Sequence, residues 1–156
     1  MQDVRWINIT NPTREDIYWL KENFNFHELI LTELLRPSAR ATVEVYEDYL
    51  YMVYYFPVYD TAEQTSRRAE IDILVTPREV ITVSYEKLEP LDDVDIDKAK
   101  TTLQITHAII SALLVFQERQ LRHIREKVEA VGFMLFKNRE KEVLRRVSHL
   151  KRDISE

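Results

Sequence analysis

The chain has almost no glycine and no cysteine. Gly132 is the only glycine among its 156 residues, and cysteine does not occur. Loops that cradle phosphate groups need several glycines for tight turns and close backbone approach, so Walker and dinucleotide-binding fingerprints are absent. Without cysteine, disulfides and thiolate metal sites are excluded, and a reducing compartment is permitted. The glycine count therefore excludes most nucleotide-dependent enzymes.

A basic surface and long apolar runs are lacking as well. The chain has 22 Lys and Arg against 27 Asp and Glu, a net charge of −5. Because nucleic-acid phosphates favour a basic surface, no nucleic-acid partner is expected. The N-terminus has no signal-peptide core, and no apolar run approaches the roughly 20 residues of a membrane span. With 45% hydrophobic residues, the chain can still form a packed core.

The N-terminal part of the chain predicts an α/β domain. Thr13 begins one predicted helix, with Asp16 at the spacing of a capping box, and Pro37 ends a second, apolar helix at about 27–35. The strand at 49–56 is apolar or amphipathic on both alternating faces, which is typical of a strand covered on both sides. Together the patterns predict about five strands, several of them antiparallel, at 5–9, 41–46, 49–56, 69–75 and 80–85, with residues 60–68 as a polar loop.

Beyond residue 97 the pattern becomes helical, which predicts a division into domains 1–97 and 98–156. Apolar residues at alternating spacings of four and three form a heptad seam over residues 103–135. The seam is interrupted near Asn138, which can cap a new helix. The pattern therefore predicts an antiparallel helical hairpin over the second part. Because the chain ends in mid-pattern without a cap, we also expect it to be a piece of a longer protein.

No catalytic motif emerges from the residue spacing. The four histidines do not pair with one another, or with a convincing acid, at the helical spacing of a zinc site. The serines lack the flanking glycines of a nucleophile elbow. The acids between Asp92 and Asp97 could bind a hard cation, but such a run is more often a solvated link. The sequence therefore predicts that the chain is not an enzyme.

Glu33 is the lone acid in the latter half of the apolar helix. Its ordinary role would be that of an exposed or ion-paired surface acid beside Arg36. Alternatively, the helix lies at a subunit contact, where Glu33 could meet a carboxylate from a neighbour and a cation would relieve the repulsion. The residues alone leave both interpretations open.

Four segments, taken in order, resemble one known protein family. They are WINITNPT at 6–13, FNFHELILTELLRP at 24–37, VEVYEDYLYMVYYFPVYD at 43–60 and VTPREVITVSYE at 75–86. Their order and spacing resemble the soluble N-terminal domain of the CorA family of magnesium transporters. Near the C-terminus, KEVLRRVSHLKRDI resembles the family's passage into its long stalk helix. The resemblance covers nearly the whole chain.

The resemblance implies a fold, a function and an assembly. The expected fold is an α/β/α sandwich followed by a long helical hairpin. The expected protein is the cytoplasmic, cation-sensing domain of a homopentameric magnesium channel, at the cytoplasmic face of the cell membrane, with its membrane helices outside this chain. Glu33 falls on the family's sensing position between subunits, which makes Mg²⁺ the expected regulatory ion. Thr32 stands where some members have a second acid.

Two other functions remain open. One is a zinc or cobalt transporter of the same family, because nothing in this sequence distinguishes Zn²⁺ or Co²⁺ from Mg²⁺. The other is a soluble scaffold that dimerises through the coiled-coil seam at 103–135. In each case homo-oligomers are expected. For a transporter, a membrane is contacted only through helices that this chain does not contain.

Overall fold

The computed structural model describes residues 3–155, and the chain divides into two compact units. The first unit ends at Glu118 and the second begins at Arg119. The predicted domain boundary after residue 97 stays a prediction. The stalk resemblance rests partly on residues 151–154, which lie outside the residues whose side chains are described.

The first unit contains a five-stranded sheet. Its strands are β1 (Arg5–Thr10), β2 (Thr42–Val45), β3 (Leu50–Asp60), β4 (Thr65–Val75) and β5 (Glu79–Ser84). Their order across the sheet is β1-β5-β4-β3-β2. β1 is parallel to β5, and every other neighbouring pair is antiparallel. The prediction of a mixed, largely antiparallel sheet is therefore confirmed.

Two short helices, α1 (Arg14–Asn23) and α2 (Glu28–Glu33), follow β1. The predicted capping box begins α1: Thr13 Oγ1 accepts a hydrogen bond from the Asp16 N–H at 3.2 Å, and Asp16 Oδ2 accepts one from the Thr13 N–H at 2.9 Å. His27 caps α2, because its Nδ1 accepts from the Leu29 N–H at 3.1 Å. Both caps satisfy backbone donors that a helix start leaves unpaired.

Apolar layers cover both faces of the sheet, as the two-sided pattern of β3 predicted. One layer packs against residues 20–34 and contains Tyr51, Val53, Leu74, Ile81 and Val83 with Leu20, Phe26, Ile30, Leu31 and Leu34. The other contains Phe56, Ile71, Ile73 and Val80 with Ile105, Ile109, Leu113 and Phe116 from the C-terminal helix. Because β3 alternates between the layers, both faces of the sheet are needed to bury it.

The predicted polar loop at 60–68 is wrong for most of its length. Residues 65–68 continue β4 and pair with residues 57–60 of β3, so the connection comprises only residues 61–64. The side chains of 65–68 are exposed, which removes the apolar alternation that marks a strand in sequence. Gln64 adopts a positive φ of 54° as the chain turns back. Backbone pairing therefore extends this hairpin where the sequence shows no apolar alternation.

The predicted helical hairpin is also wrong. From Thr102 to Ser155 the chain forms one helix, α3, with no turn near Asn138. No proline follows residue 90, and an Asn inside a helix costs only about 0.7 kcal/mol relative to Ala, against about 3 for Pro. The interruption of the seam was therefore too weak to end the helix. α3 begins four residues later than predicted, with Thr101 Oγ1 accepting from the Gln104 N–H at 3.1 Å.

The face of α3 that packs on the sheet is not the heptad seam. Within the first unit, Ile105, Ile109 and Leu113 are buried against the sheet. The seam residues Leu103 and Leu114 are 74% and 53% exposed. The buried row was not recognised in the sequence because the polar residues Thr102 and Thr106 lie beside it.

Replacing a residue of the buried row tests how α3 packs on the sheet. We expect Leu113→Ala to lower the free energy of unfolding by about 2–5 kcal/mol, because it removes a fully buried side chain. Leu103→Ala, on the exposed face of the same helix, is the control and should change stability by less than about 0.5 kcal/mol. Denaturant unfolding measures both. Equal effects would contradict this packing.

Candidate functional site

A cavity beside the C-terminal end of α2 contains the predicted site residue Glu33. Its volume is about 610 Å³. Its polar and charged lining comes from α2, from the segment that follows α2 and from β2, and comprises Thr32, Glu33, Arg36, Ser38, Arg40, Thr42 and Glu44. The cavity therefore combines the expected acid with a second one, Glu44, that the sequence did not single out.

Two different elements position the acids at the same cavity: α2 carries Glu33 and β2 carries Glu44. Glu33 is the last residue of α2, which is anchored on the sheet by buried apolar side chains, namely Ile30, Leu31 and the following Leu34. Glu44 is half-buried in β2, between two exposed neighbours. Since side chains alternate along a strand, Glu44 faces the same side of the sheet as its cross-strand partner Tyr51.

The side chain of Tyr46 interacts electrostatically with both acids. The phenol of Tyr46 donates a hydrogen bond to Glu44 Oε2 at 2.6 Å. This bond, with burial and the charges of Glu44, Tyr49 and Glu33, raises the pKa of Tyr46 to about 12. Both carboxylates therefore act on the same phenol.

Two arginines also line the cavity. Arg36 and Arg40 are exposed, and in the described part of the chain neither forms a salt bridge with Glu33 or Glu44. Glu33 is itself exposed, so of its two ordinary roles the structure shows the exposed acid and not the ion pair with Arg36. Its carboxylate is left available to an external ligand.

The cavity supplies only part of a cation site. Among the residues whose side chains are described, 3–150, no three acidic or histidine side chains are arranged to hold a metal ion. The Thr32 hydroxyl donates to the Glu28 carbonyl oxygen at 2.9 Å, so it can offer a cation only the lone pairs of its oxygen. Mg²⁺ and Ca²⁺ require about six or more oxygen ligands. Two carboxylates would therefore bind such an ion only with water or with ligands from a second chain.

The acids between Asp92 and Asp97 make local contacts. The Asp97 N–H donates to Asp95 Oδ1 at 2.9 Å, and Lys87 Nζ lies 3.9 Å from Asp92 Oδ2. Asp92 belongs to the 3-10 turn Glu89–Asp93, which precedes α3. These contacts agree with a solvated link, the role that such a run most often has.

A second pair of acids, Glu70 and Asp72, was not predicted as a site. Both lie on β4, on the face toward α2, and are only 8% and 0% exposed. Burial, with the hydrogen bond and charge of Glu70, raises the pKa of Asp72 to about 9. The signal in the sequence was the pair of charges inside an apolar strand, AEIDILV. Such residues are almost never fully buried without a partner.

Comparisons with known proteins identify relatives of the whole chain. The model of a family described as CorA-like Mg²⁺ transporter protein matches residues 1–156, which agrees with the resemblance found in the motifs. The cobalt/magnesium transport protein CorA of Thermotoga maritima is 25% identical over 160 residues, covering 97% of this chain and 46% of that protein. The chain thus spans about half the length of this curated relative.

Solved structures share the fold. The complete CorA magnesium transporter from Methanocaldococcus jannaschii matches with a TM-score of 0.66 at 17% identity, covering 84% of this chain and 43% of that one. The soluble domain of the same protein matches with a TM-score of 0.65 at 16% identity, covering 84% and 55%. At such identities the likeness shows the fold alone. Within the described part of the chain, none of the helices is both long and apolar enough to span a bilayer.

Replacing Glu44 tests the hydrogen bond that ties it to Tyr46. We expect Glu44→Gln to lower the pKa of Tyr46 from about 12 toward its ordinary value of 10.0, because a neutral amide replaces the charged acceptor. Phenolate absorbance during alkaline titration measures this shift, and in a Tyr46→Phe background it should vanish. Glu47→Gln, at an exposed position nearby, is the control. An unchanged titration in Glu44→Gln would show that Glu44 does not govern this phenol.

Proposed function

Because the chain belongs to the CorA-like Mg²⁺ transporter family, we propose that it is the cation-sensing domain of a divalent-cation transporter. The membrane part of that transporter lies, in this proposal, outside residues 1–156. The domain lies at the cytoplasmic face of the cell membrane and assembles as a homopentamer. Membership of a transporter family disfavours the alternative of a free-standing coiled-coil scaffold, and it gives no reason to expect an enzyme.

The observation that carries the proposal is the exposed carboxylate of Glu33 in a cavity that Glu44 also lines. Two carboxylates near one another favour a bound divalent cation, because the ion relieves their mutual repulsion. A neighbouring copy of the chain would supply the remaining oxygen ligands. In this arrangement Glu33 acts as the sensing ligand between subunits, and Glu44 supports it from β2.

The long helix offers apolar surface for such an assembly. Val128, Val131 and Leu135 on α3 are 65%, 47% and 65% exposed. Exposed apolar side chains in a row mark a surface that another chain covers. Their presence on the second unit supports a homo-oligomer, with copies of the same helix as the simplest partners.

In this proposal the cation regulates the transporter by stabilising one arrangement of its subunits. With the ion bound, the acids of adjacent domains are neutralised and the contact is closed. Loss of the ion leaves like charges facing one another, which loosens the contact and permits the pore to open. A ligand at ten times its dissociation constant contributes about 1.4 kcal/mol per site, a modest bias that several sites multiply.

Magnesium is the first candidate for the regulatory ion. The described residues that line the cavity offer carboxylates and hydroxyls, and no histidine or cysteine is among them. Hard ions such as Mg²⁺ prefer oxygen ligands, whereas zinc sites usually contain nitrogen or sulfur. The cavity therefore favours Mg²⁺ over Zn²⁺ as the sensed ion. Co²⁺ remains a second candidate for both sensing and transport, and Zn²⁺ a candidate for transport.

Melting of the full-length assembly with and without millimolar Mg²⁺ tests the proposal. We expect Mg²⁺ to raise the melting temperature of the wild type, because it binds the folded, closed assembly only. Glu33→Gln keeps the shape of the side chain and removes its charge, so most of the Mg²⁺-dependent shift should be lost.

The matched control for this experiment is Glu28→Gln. Glu28 is an acid on the same helix, is 84% exposed at its side chain, and does not line the cavity. It should retain the full Mg²⁺-dependent shift. If the wild type shows no shift, or if Glu33→Gln and Glu28→Gln respond alike, Glu33 is not the sensing ligand.

A further inference from the structure

We propose that Glu70 and Asp72 form a buried proton-binding site that fastens residues 34–40 to the sheet. This inference goes beyond cation sensing and does not depend on Glu33 being a metal ligand. It concerns the part of the connection between α2 and β2 where Ser38 is bonded to Glu70 of β4.

The two carboxyl groups lie side by side beneath that connection. Glu70 and Asp72 are alternate residues of β4, so both point to the face that residues 20–40 cover. One oxygen of each has a donor: Glu70 Oε1 accepts from the Ser38 N–H at 2.8 Å, and Asp72 Oδ2 accepts from the Tyr51 hydroxyl at 3.0 Å. Their second oxygens, Glu70 Oε2 and Asp72 Oδ1, are buried and receive no hydrogen bond from the described residues.

A single shared proton satisfies this arrangement. Two ionised carboxylates buried together would repel each other and would each lose their hydration. In the described part of the chain, neither forms a salt bridge with Lys, Arg or His. A proton on Asp72 that is donated to Glu70 removes one charge and pairs the two free oxygens. Because burial and Glu70 raise the pKa of Asp72, the pair holds this proton at neutral pH.

The surrounding groups favour a proton over a metal ion. A cavity of about 220 Å³ lies beside Glu70, and Arg68 is part of its lining. The Arg68 guanidinium lies 4.0 Å from the centre of the Tyr55 ring, and its positive charge opposes a cation there. On the rim, Glu86 forms a salt bridge with Arg67. The remaining groups that face the pair are neutral hydroxyls, those of Ser38, Tyr51, Tyr55 and Tyr85.

The tyrosines stay protonated while the carboxyl pair titrates. Burial is the largest cause of a raised pKa at Tyr51, Tyr55 and Tyr85. The Asp72 carboxyl adds to it at all three, and Glu70 at Tyr55 and Tyr85. Their hydroxyls therefore remain hydrogen-bond donors across the range in which the pair loses its proton. The carboxyl pair is the group whose charge changes.

The proton matters because the same groups hold the connection in place. Ser38 donates its N–H to Glu70 and accepts a hydrogen bond from Tyr55 at its carbonyl oxygen, and the Tyr85 hydroxyl donates to the Leu34 carbonyl at 3.0 Å. A second negative charge beneath this segment would draw in water and weaken these bonds. Residues 35–40 also line the cavity of Glu33, so loss of the proton would alter that cavity as well.

Carbon-13 NMR of the wild-type protein tests the assignment without any substitution. With labelled aspartate, we expect the Asp72 carboxyl carbon to show the protonated chemical shift at pH 7 and to titrate near pH 9. The Ser38 amide signal should move with the same midpoint, because its acceptor belongs to the pair. A carboxyl that is ionised at pH 7, or one whose signal responds to added Mg²⁺ alone, would overturn the proposal.

The pH dependence of stability is a second test. Asp72 binds a proton more tightly in the folded than in the unfolded state, so its stabilising contribution is complete below about pH 4 and is lost as the pH rises to about 9. The folding constant should fall by up to about tenfold per pH unit in that window from this group.

Asp72→Asn carries a permanent donor at the same position and should lack this component. The ratio of the unfolding constants, wild type over variant, should therefore rise by up to about tenfold per pH unit between about pH 6 and about pH 8. Asp48→Asn, at an exposed turn position, removes the same charge and should leave the ratio flat. If Asp72→Asn behaves like Asp48→Asn, the buried pair does not bind the proton.

Discussion

The burial of β4 between two apolar layers is the constraint on which the rest of the first unit depends. Its residues 69–75 are buried on both faces, with residues 20–34 on one side and the start of α3 on the other. A strand in this position cannot leave either face open without exposing Leu74 or Ile73 to water. The short α2 is therefore held by what lies beneath it, since six residues are too few for a stable isolated helix.

This packing also explains where the functional groups lie. The apolar side chains of α2 pack on β3 and β4, so its last residue, Glu33, lies at the exposed end of the helix. The segment that follows then passes over Glu70. The two acidic sites thus share one connection, residues 34–40, which lines the cavity of Glu33 and is bonded to Glu70 through Ser38. At the one that is open to solvent we propose a hydrated cation, and at the one that is buried we propose a proton. Their difference in ligand follows from their difference in burial.

Alternation and capping predicted most of the first unit from sequence. The five strands, the two-sided burial of β3 and the Thr13–Asp16 cap depend on residues whose neighbours in sequence also decide their environment. The failures have the opposite character. Thr65–Arg68 form a strand by backbone pairing with residues 57–60, which their exposed side chains do not signal, and α3 continues past Asn138 because a single polar residue costs little. Glu70 and Asp72 form the proposed proton site only in the folded chain, where Ser38 and Tyr51 donate hydrogen bonds to them.

The most direct test of whether Glu33 senses a cation is anomalous diffraction from crystals of the full-length assembly grown with Mn²⁺. This ion prefers the same oxygen ligands as Mg²⁺ and can be located by its anomalous scattering. We expect anomalous density within coordination distance of the Glu33 carboxylate, in the cavity shared with Glu44. Density at other positions, with none in this cavity, would contradict the proposed sensing site.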